Sequence, residues 1–270
     1  MTFSTALQKF TIGFIALLMA FAGFTAAVPQ VDALEDFSSI ESGDLIVGES
    51  FTAVYYYGAD GFRYVFPNSK TYFTWYDDFD GVRSISDSDM GSIQIGGNVT
   101  YKPGIKMIKI NSDPKTYAID AGGVLRHVGS EDLAVDLYGD AWNTMIDDVA
   151  DGFFTNYSIG DEIADSADYS AADAEEAADG ISDDKGLVAP EDISITDDGY
   201  EPIDLTIDVG QGVRFTNDSS DKHNATSDDL SWGTGTLQPG EDYITSFYEA
   251  GTYTFFDGYD STNTGAIYVE

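Results

Sequence analysis

The feature that most constrains the fold of this chain is the alternation of apolar and polar residues in short runs near its C-terminus. In "DLTIDVGQGVRFTN" (204–217), Leu205, Ile207 and Val209 alternate with polar residues, and the apolar face resumes after a Gly-Gln-Gly turn. Such alternation is typical of strands with one buried face, because successive side chains point to opposite sides. A second run, "LQPGEDYITSFYEAGTYTFF" (237–256), repeats this pattern around Pro-Gly and Gly. Many short strands at this spacing predict a small β-sandwich.

Motifs in this region stand in the order found in the plastocyanin-like cupredoxin family. The matching motifs are an aromatic-x-Pro start at Tyr200 and Pro202, the strand and turn "IDVGQGVRFTND", "DKHNATS", the Pro-Gly to Gly-Thr-Tyr segment, and the closing "GAIYV". Residues 190–270 therefore resemble a cupredoxin-like domain, and the resemblance implies a Greek-key β-sandwich. It covers under a third of the chain.

The resemblance also implies where metal ligands would stand, and there the chain departs from the family. His223 stands at the position of the first histidine ligand, Asp257 at that of the cysteine, Asp260 at that of the second histidine, and Asn263 at that of the axial methionine. A blue copper centre needs a thiolate ligand, and the chain contains no cysteine. The resemblance therefore implies a scaffold without a blue copper centre.

Two interpretations of His223, Asp257, Asp260 and Asn263 stay open. One imidazole with carboxylates binds zinc or copper(II), and carboxylates with an amide oxygen suit calcium, so the four residues could form a weak metal site. Alternatively, "DGYDSTNTG" consists of ordinary turn residues and is a solvated loop with a vestigial site. No cofactor is predicted beyond weak binding of copper, zinc or calcium at these residues.

Residues 34–163 contain an internal echo. "VYYYGADGFRYVFPN" (54–68) resembles "TYAIDAGGVLRHVGS" (116–130), and each copy consists of two apolar runs around a glycine turn, which indicates a β-hairpin. A tryptophan follows each copy, at Trp75 and Trp142. We interpret the region as two tandem β-rich repeat units with short helices. It is similar to repeat modules of exported bacterial proteins that have no assigned activity.

Two details of this region bear on structure and partners. "SEDLAVDLYGDAW" is the best helix candidate, because Ser130 can cap its start and Gly139 can end it. The aromatics of "VYYYG" and "TYFTWYDDF" predict stacking on sugars of a cell-wall or surface polysaccharide, or else a strand that is half core and half surface.

The two remaining segments are distinguished by composition. Residues 1–33 carry Lys9, a short apolar run and small residues, which predicts a secretory signal peptide, with an uncleaved anchor as the alternative. Residues 164–189 consist mostly of alanine and acids, which predicts a solvated, protease-sensitive linker between the repeats and the C-terminal domain.

The formal charge of −36, with only 12 Lys and Arg residues, argues against nucleic acid and against acidic membrane surfaces. No motif of a nucleophilic, phosphate-binding or zinc-protease site is present, so no enzyme is predicted. We expect an exported, non-enzymatic cell-surface or envelope protein that binds a polysaccharide or a protein. The alternative is a periplasmic or surface metal-binding protein that uses His223 and the nearby carboxylates.

Overall fold

Short strands dominate the computed structural model, which describes residues 34–270. They form two five-stranded and two four-stranded sheets. The chain is mainly β, with several short helices, as the sequence predicts. The predicted signal peptide, residues 1–33, lies outside the described residues. Among the helices of 34–270, none is long and apolar enough to cross a membrane.

The first repeat unit is a five-stranded sheet with two short helices. After a 3₁₀ turn at Phe37–Ser39, it consists of β1 (Leu45–Gly48), β2 (Val54–Tyr57), β3 (Arg63–Val65), α1 (Ser69–Trp75), β4 (Val82–Ile85), α2 (Asp87–Ser92) and β5 (Ile95–Asn98). The strand order is β4-β1-β2-β3-β5. The three central strands are antiparallel, and each outer strand runs parallel to its neighbour after a helical connection.

The second repeat unit has the same topology. It consists of β6 (Met107–Ile110), β7 (Asp113–Asp120), β8 (Val124–His127), α3 (Glu131–Tyr138), β9 (Ile146–Val149), α4 (Asp151–Phe154) and β10 (Ser158–Ile159), with 3₁₀ turns at Ala121–Gly123 and Trp142–Met145. Its order is β9-β6-β7-β8-β10, with the same antiparallel and parallel pairings. This confirms the tandem repeat, and it places each hairpin of the sequence echo at the centre of a sheet.

The predicted helix in the second repeat is α3, and its ends lie where the sequence places them. The Ser130 side chain accepts a hydrogen bond from the backbone N–H of Leu133 at 3.2 Å, which satisfies one of the free donors of the first turn. Gly139 follows the helix with φ +78°, a conformation that glycine adopts without a steric cost. The equivalent helix α1 is capped by Asn68, whose Oδ1 accepts from Thr71 N at 3.0 Å.

The acidic segment 164–189 carries more structure than its composition indicates. It contains α5 (Ala171–Ala177) and α6 (Ile181–Lys185). Tyr169 and Ile181 are buried, and Ile181 joins the core of the first repeat. The segment is therefore solvated only in part, because these side chains anchor it. The boundaries of the predicted domains stay predictions.

The α6 helix packs against the hairpin turns of both repeats. Ser182 Oγ accepts a hydrogen bond from Ala59 N at 3.1 Å and lies 2.8 Å from the Tyr56 hydroxyl. Asp184 Oδ1 accepts from Gly122 N, in the second hairpin turn, at 2.9 Å. Burial raises the pKa of the Asp184 carboxyl, as expected for a carboxylate taken out of water.

The C-terminal part is a sandwich of two four-stranded sheets. Its strands are β11 (Glu191–Thr196), β12 (Gly199–Glu201), β13 (Asp204–Ile207), β14 (Gly212–Asn217), β15 (Thr226–Ser227), β16 (Asp242–Ser246), β17 (Gly251–Phe256) and β18 (Thr264–Val269). The sheet orders are β12-β11-β14-β16 and β13-β18-β17-β15.

The core of the sandwich lies between its two sheets. Phe215 in β14 and Phe255 in β17 meet edge to face, with ring centroids 5.4 Å apart, a favourable geometry for aromatic pairs. The alternation predicted for β13 holds at Leu205 and Ile207, which face this core. Val209 lies beyond the end of the strand and is exposed, because the chain turns before the alternation ends.

A side chain of the first repeat pairs with the outer strand β16 of the sandwich. Gln94 Nε2 donates to the carbonyl of Ile244 at 3.0 Å, and Ile244 N donates to Gln94 Oε1 at 2.7 Å. Gly61, at the turn between β2 and β3, lies so close that a Cβ there would stand 2.7 Å from the Ile244 side chain. The first repeat and the sandwich therefore share a direct, partly hydrogen-bonded contact.

Candidate functional site

The candidate site lies at one end of the sandwich, where the loop between β17 and β18 meets the segment after β14. His223 is held by a backbone bridge to Leu237, in which each N–H donates to the other's carbonyl, at 3.1 and 2.9 Å. Asp257 follows the last residue of β17 directly. The structure therefore brings together the positions that the resemblance assigns to the first histidine and the cysteine.

His223 and Asp257 form a short, buried hydrogen bond. His223 Nδ1 lies 2.5 Å from Asp257 Oδ2, and the side chains are 13% and 0% exposed. Asp257 Oδ1 accepts two further hydrogen bonds, from the backbone N–H of Tyr259 at 2.9 Å and of Asn224 at 3.3 Å. A buried carboxylate is tolerated when it is paired and fully hydrogen-bonded, and here both oxygens have partners.

Asn224 connects this pair to the sandwich core and to the loop. Its carbonyl accepts a hydrogen bond from the Tyr200 hydroxyl at 2.5 Å, and its side-chain Oδ1 accepts from Gly258 N at 2.7 Å. Burial, and then the negative charge of Asp257, raise the pKa of the Tyr200 phenol. Tyr200 therefore stays a hydrogen-bond donor at neutral pH and secures the backbone beside His223.

Asp260 takes part in a hydrogen-bonded turn of its own. Its Oδ1 accepts from the hydroxyl and the backbone N–H of Thr262, at 2.6 and 3.0 Å. These two hydrogen bonds, with a smaller contribution from His223, lower the pKa of the Asp260 carboxyl. A carboxylate bonded to residues two positions later is ordinary turn chemistry, so Asp260 is committed to its loop.

Asn263 closes the same loop through its backbone. Its N–H donates to the Asp260 carbonyl at 2.9 Å, and its carbonyl accepts from Asp257 N at 3.0 Å. Its side-chain oxygen lies beside Gly199, where a Cβ would stand 3.1 Å from it. Asn263 therefore positions Asp257 through the main chain while its amide packs against β12.

The donor set does not fit the copper centre that the fold family implies. The thiolate is missing from the chain, and the Nδ1 atom of His223 is engaged by Asp257. Among residues 34–270, no group of three or more His, Cys, Asp or Glu side chains is arranged to hold a metal ion. Of the four residues suggested by the sequence, only His223 and Asp257 meet side chain to side chain.

Three further residues contribute to this site, although the sequence motifs do not point to them: Tyr259, Asn224 and Thr262. Tyr259 covers the loop: Lys222 Nζ lies 4.6 Å from the centre of its ring, and its hydroxyl is 2.6 Å from Thr236 Oγ1. Asn224 and Thr262 supply the hydrogen bonds described above. A polar residue beside each candidate ligand is the signal that could have pointed to them, since buried carboxylates need several donors.

The aromatic residues of the first repeat are partly buried and partly exposed, and His127, the other histidine of the chain, lies in the second repeat. Tyr56 and Tyr72 are buried in the core of the first repeat, whereas Phe73 and Phe79 are about half exposed. In β2, Tyr56 is buried and Tyr55 and Tyr57 are half-buried, as predicted for a strand between core and surface, whereas the aromatics of "TYFTW" lie in helix α1, so the prediction of a strand there is wrong. His127 ends β8 on its hairpin strand, and its Nδ1 lies 3.3 Å from Glu162.

Comparison with known proteins bears on the C-terminal part alone. The family profile described as "Cupredoxin-like domain" matches residues 180–269, so this part is a cupredoxin-like domain, as the resemblance predicts. A search of curated proteins finds no significant match.

Several solved structures resemble the same region. A purple cupredoxin from Nitrosopumilus maritimus is 26% identical over 30% of this chain and 99% of its own, with a TM-score of 0.28. A Cu(I) amicyanin variant is 24% identical over 30% of this chain and 82% of its own, with a TM-score of 0.29. The copper-containing nitrite reductase from Thermus scotoductus is 24% identical over 30% of this chain and 22% of its own, with a TM-score of 0.28.

Proposed function

We propose that this chain, whose residues 180–269 form a cupredoxin-like domain, is an exported, non-enzymatic binding protein of the cell surface or envelope. The observation that carries the proposal is the His223–Asp257 hydrogen bond of 2.5 Å. It engages the imidazole of His223, and no group of three or more His, Cys, Asp or Glu side chains within residues 34–270 is arranged to hold a metal ion. The domain then serves as a scaffold, and its redox chemistry is lost.

The hydrogen bond explains how the scaffold keeps its shape without a metal. In a metal site, the ion joins loops that are distant in sequence and contributes to folding. Here Asp257 joins the β17–β18 loop to the segment of His223 and Asn224 through two hydrogen bonds, and a third, from Tyr259 N, holds its carboxylate within the loop. The hydrogen bond between Nδ1 and Oδ2 thus takes over the cross-linking role of an ion.

Export is supported by the N-terminal sequence, and a binding role by the tandem repeats. Lys9, the apolar run and the small residues of 1–33 favour cleavage near Val28 or Leu34. N-terminal sequencing of the protein recovered from the envelope or medium tests this step, and an intact Met1 there would contradict it.

Metal titration tests the scaffold function. At high salt, where diffuse attraction of cations to the acidic surface is screened, we expect copper(II), zinc and calcium to give the same weak isotherm for wild type and for His223→Ala. Copper(II) should produce no intense visible charge-transfer absorption, because that band requires a thiolate. Isothermal titration calorimetry and absorption spectroscopy measure the two properties.

The matched control is Asp198→Ala, which removes an exposed carboxylate outside the loop. A one-to-one copper or zinc complex in the wild type would support the metal-binding alternative if His223→Ala weakened it by about tenfold or more, roughly 1.4 kcal/mol, and Asp198→Ala did not. In that case the scaffold proposal would be abandoned.

A further inference from the structure

Each repeat unit carries a groove at the same place in its topology. In the first repeat, a groove of about 310 Å³ lies between the start of β2, the segment 66–69 before α1, and Phe79. In the second, a groove of about 370 Å³ lies between the start of β7, the segment 128–131 before α3, and Trp142. The helix caps Asn68 and Ser130 line the two grooves, and the strand residues of both stand at the same sequence distance before them. The grooves are therefore two copies of one site.

Both copies keep an aromatic wall, although they build it differently. In the first groove, Phe79 stacks on Tyr72 with ring centroids 4.4 Å apart, and it stays 49% exposed. In the second, Ala134 replaces Tyr72 one turn into the helix, and the larger ring of Trp142 lines the groove beside it. A small residue paired with a larger ring gives a cleft of similar size. The duplication has thus changed the wall residues and kept a ring at the groove.

Both copies also place a hydrogen-bond donor beside the ring. Asn68 caps α1 with Oδ1, and Ser130 caps α3 with Oγ as acceptor. Each side chain therefore still has N–H or O–H hydrogen atoms to donate. An apolar ring face with a few directed polar groups is the usual composition of a small-ligand site, and both volumes fall at the lower end of the range of about 300–1,000 Å³.

The net charge of the chain and the charged side chains lining the grooves restrict the class of ligand. The formal charge of −36 disfavours polyanions, which it repels at long range. The lining of the first groove contains no charged side chain, whereas that of the second contains Lys115, His127 and Glu131. A neutral sugar matches both, because its hydroxyl groups accept from the cap donors while its C–H face covers an aromatic ring.

We propose that the two grooves are equivalent subsites for a neutral glycan with a repeating unit, one stretch of the polymer in each groove. The inference rests on the proposed binding function and names its partner class. Two linked subsites convert the second binding event into an intramolecular one, so a long glycan is held more tightly than a short one without any new contact.

The test uses the full mature chain and an array of neutral and acidic oligosaccharides, followed by titration with short and long forms of the neutral glycan bound. Phe79→Leu and Trp142→Leu remove the ring while keeping apolar volume, so that Trp142, which also packs on a core cluster, is replaced conservatively. Each variant should weaken binding of the long glycan by about tenfold or more, and the double variant should abolish it. Tyr248→Leu is the control, because Tyr248 is the most exposed tyrosine among the large exposed apolar residues and lies in the sandwich.

Four outcomes would overturn the inference: no neutral glycan bound on the array, acidic glycans bound in preference, equal loss with Tyr248→Leu, or a peptide ligand competing for both grooves. These outcomes leave the metal titration untouched, so a failure of the glycan assignment is distinguishable from a failure of the scaffold function. Thermal unfolding of each variant confirms that a loss of binding does not reflect unfolding.

Discussion

Asp257→Ala is expected to lower the free energy of unfolding of the C-terminal domain by about 3–5 kcal/mol, because it removes one partner of a buried, hydrogen-bonded pair. Asp257 is fully buried and accepts hydrogen bonds from His223, Tyr259 and Asn224. Its loss leaves an imidazole nitrogen and two backbone N–H groups without acceptors in a site with little access to water. Unsatisfied buried donors cost more than the hydrogen bonds contribute when made.

Asp257→Asn removes the carboxylate charge but keeps groups that can form the hydrogen bonds, so it separates the two contributions to stability. The amide oxygen can still accept from Tyr259 N and Asn224 N, and the NH₂ group can donate to Nδ1 of His223 when the imidazole takes the tautomer with its hydrogen on Nε2. We expect a smaller loss, about 1–3 kcal/mol. Urea unfolding followed by far-ultraviolet circular dichroism measures both variants.

Asp260→Ala is the matched control, since Asp260 lies in the same loop and is exposed. Its midpoint of unfolding should stay close to that of the wild type. In a double-mutant cycle, His223→Ala should add little once Asp257 is already alanine, because the two side chains act as one unit. If Asp257→Ala and Asp260→Ala unfolded at the same urea concentration, the proposed structural role of the pair would have to be given up.

Ile181→Ala is expected to detach α6 from the first repeat, at a cost of about 2–5 kcal/mol, the usual range for truncating a fully buried isoleucine. Ile181 is 1% exposed and packs with Tyr56, Tyr64 and Tyr72 of the first repeat. The hydrogen bonds of Ser182 and Asp184 to the two hairpin turns depend on the same docking. The part of the segment around α6 (Ile181–Lys185) should then be cleaved by protease much faster than in the wild type.

Val188→Ala provides the comparison, because Val188 lies in the same segment and is exposed. Hydrogen exchange of the α6 amides gives an independent measure, since local opening is reported there without full unfolding. Equal cleavage rates for wild type, Ile181→Ala and Val188→Ala would mean that the segment is solvated, as its composition alone suggests.

The sandwich and the repeats were predictable because both rest on local patterns. Alternation with period two places Leu205 and Ile207 on the core side, whatever the rest of the chain does. The hairpins at 54–68 and 116–130 carry their turn glycines within a few residues of the strands. The helix α3 begins and ends at residues whose chemistry is readable one by one, Ser130 and Gly139.

The site was predictable only where distant residues follow the family's order. The motif order of the family places His223 and Asp257 in two loops that meet at one end of the sandwich, and the two side chains are hydrogen-bonded there. Asp260 and Asn263 have competing local partners, namely Thr262 for the carboxylate and the loop backbone for Asn263. Sequence order does not show which of two available hydrogen bonds a turn residue makes, so a metal-binding role for these two residues stays a prediction.

The acidic segment 164–189 shows that composition does not predict where a segment packs. Most of its residues are exposed, yet two buried side chains, Tyr169 and Ile181, decide where it packs. The partners of Ser182 lie in the first hairpin turn, 123 positions away in sequence at Ala59. No periodicity within the segment encodes such a contact, because it depends on the turns of both repeats being already in place.

The pairing of Gln94 with Ile244 has a consequence for how the protein behaves when it is divided. An outermost strand presents free N–H and C=O groups on which a strand of another molecule can grow, a common route to aggregation. On β16, the side-chain amide of Gln94 occupies both groups of Ile244 and so acts as a substitute for one residue of a further strand. A sandwich separated from the repeats would lose these two hydrogen bonds, and the N–H and C=O groups of Ile244 would be free to pair with another strand. The first repeat therefore protects this edge of the sandwich from strand pairing between molecules.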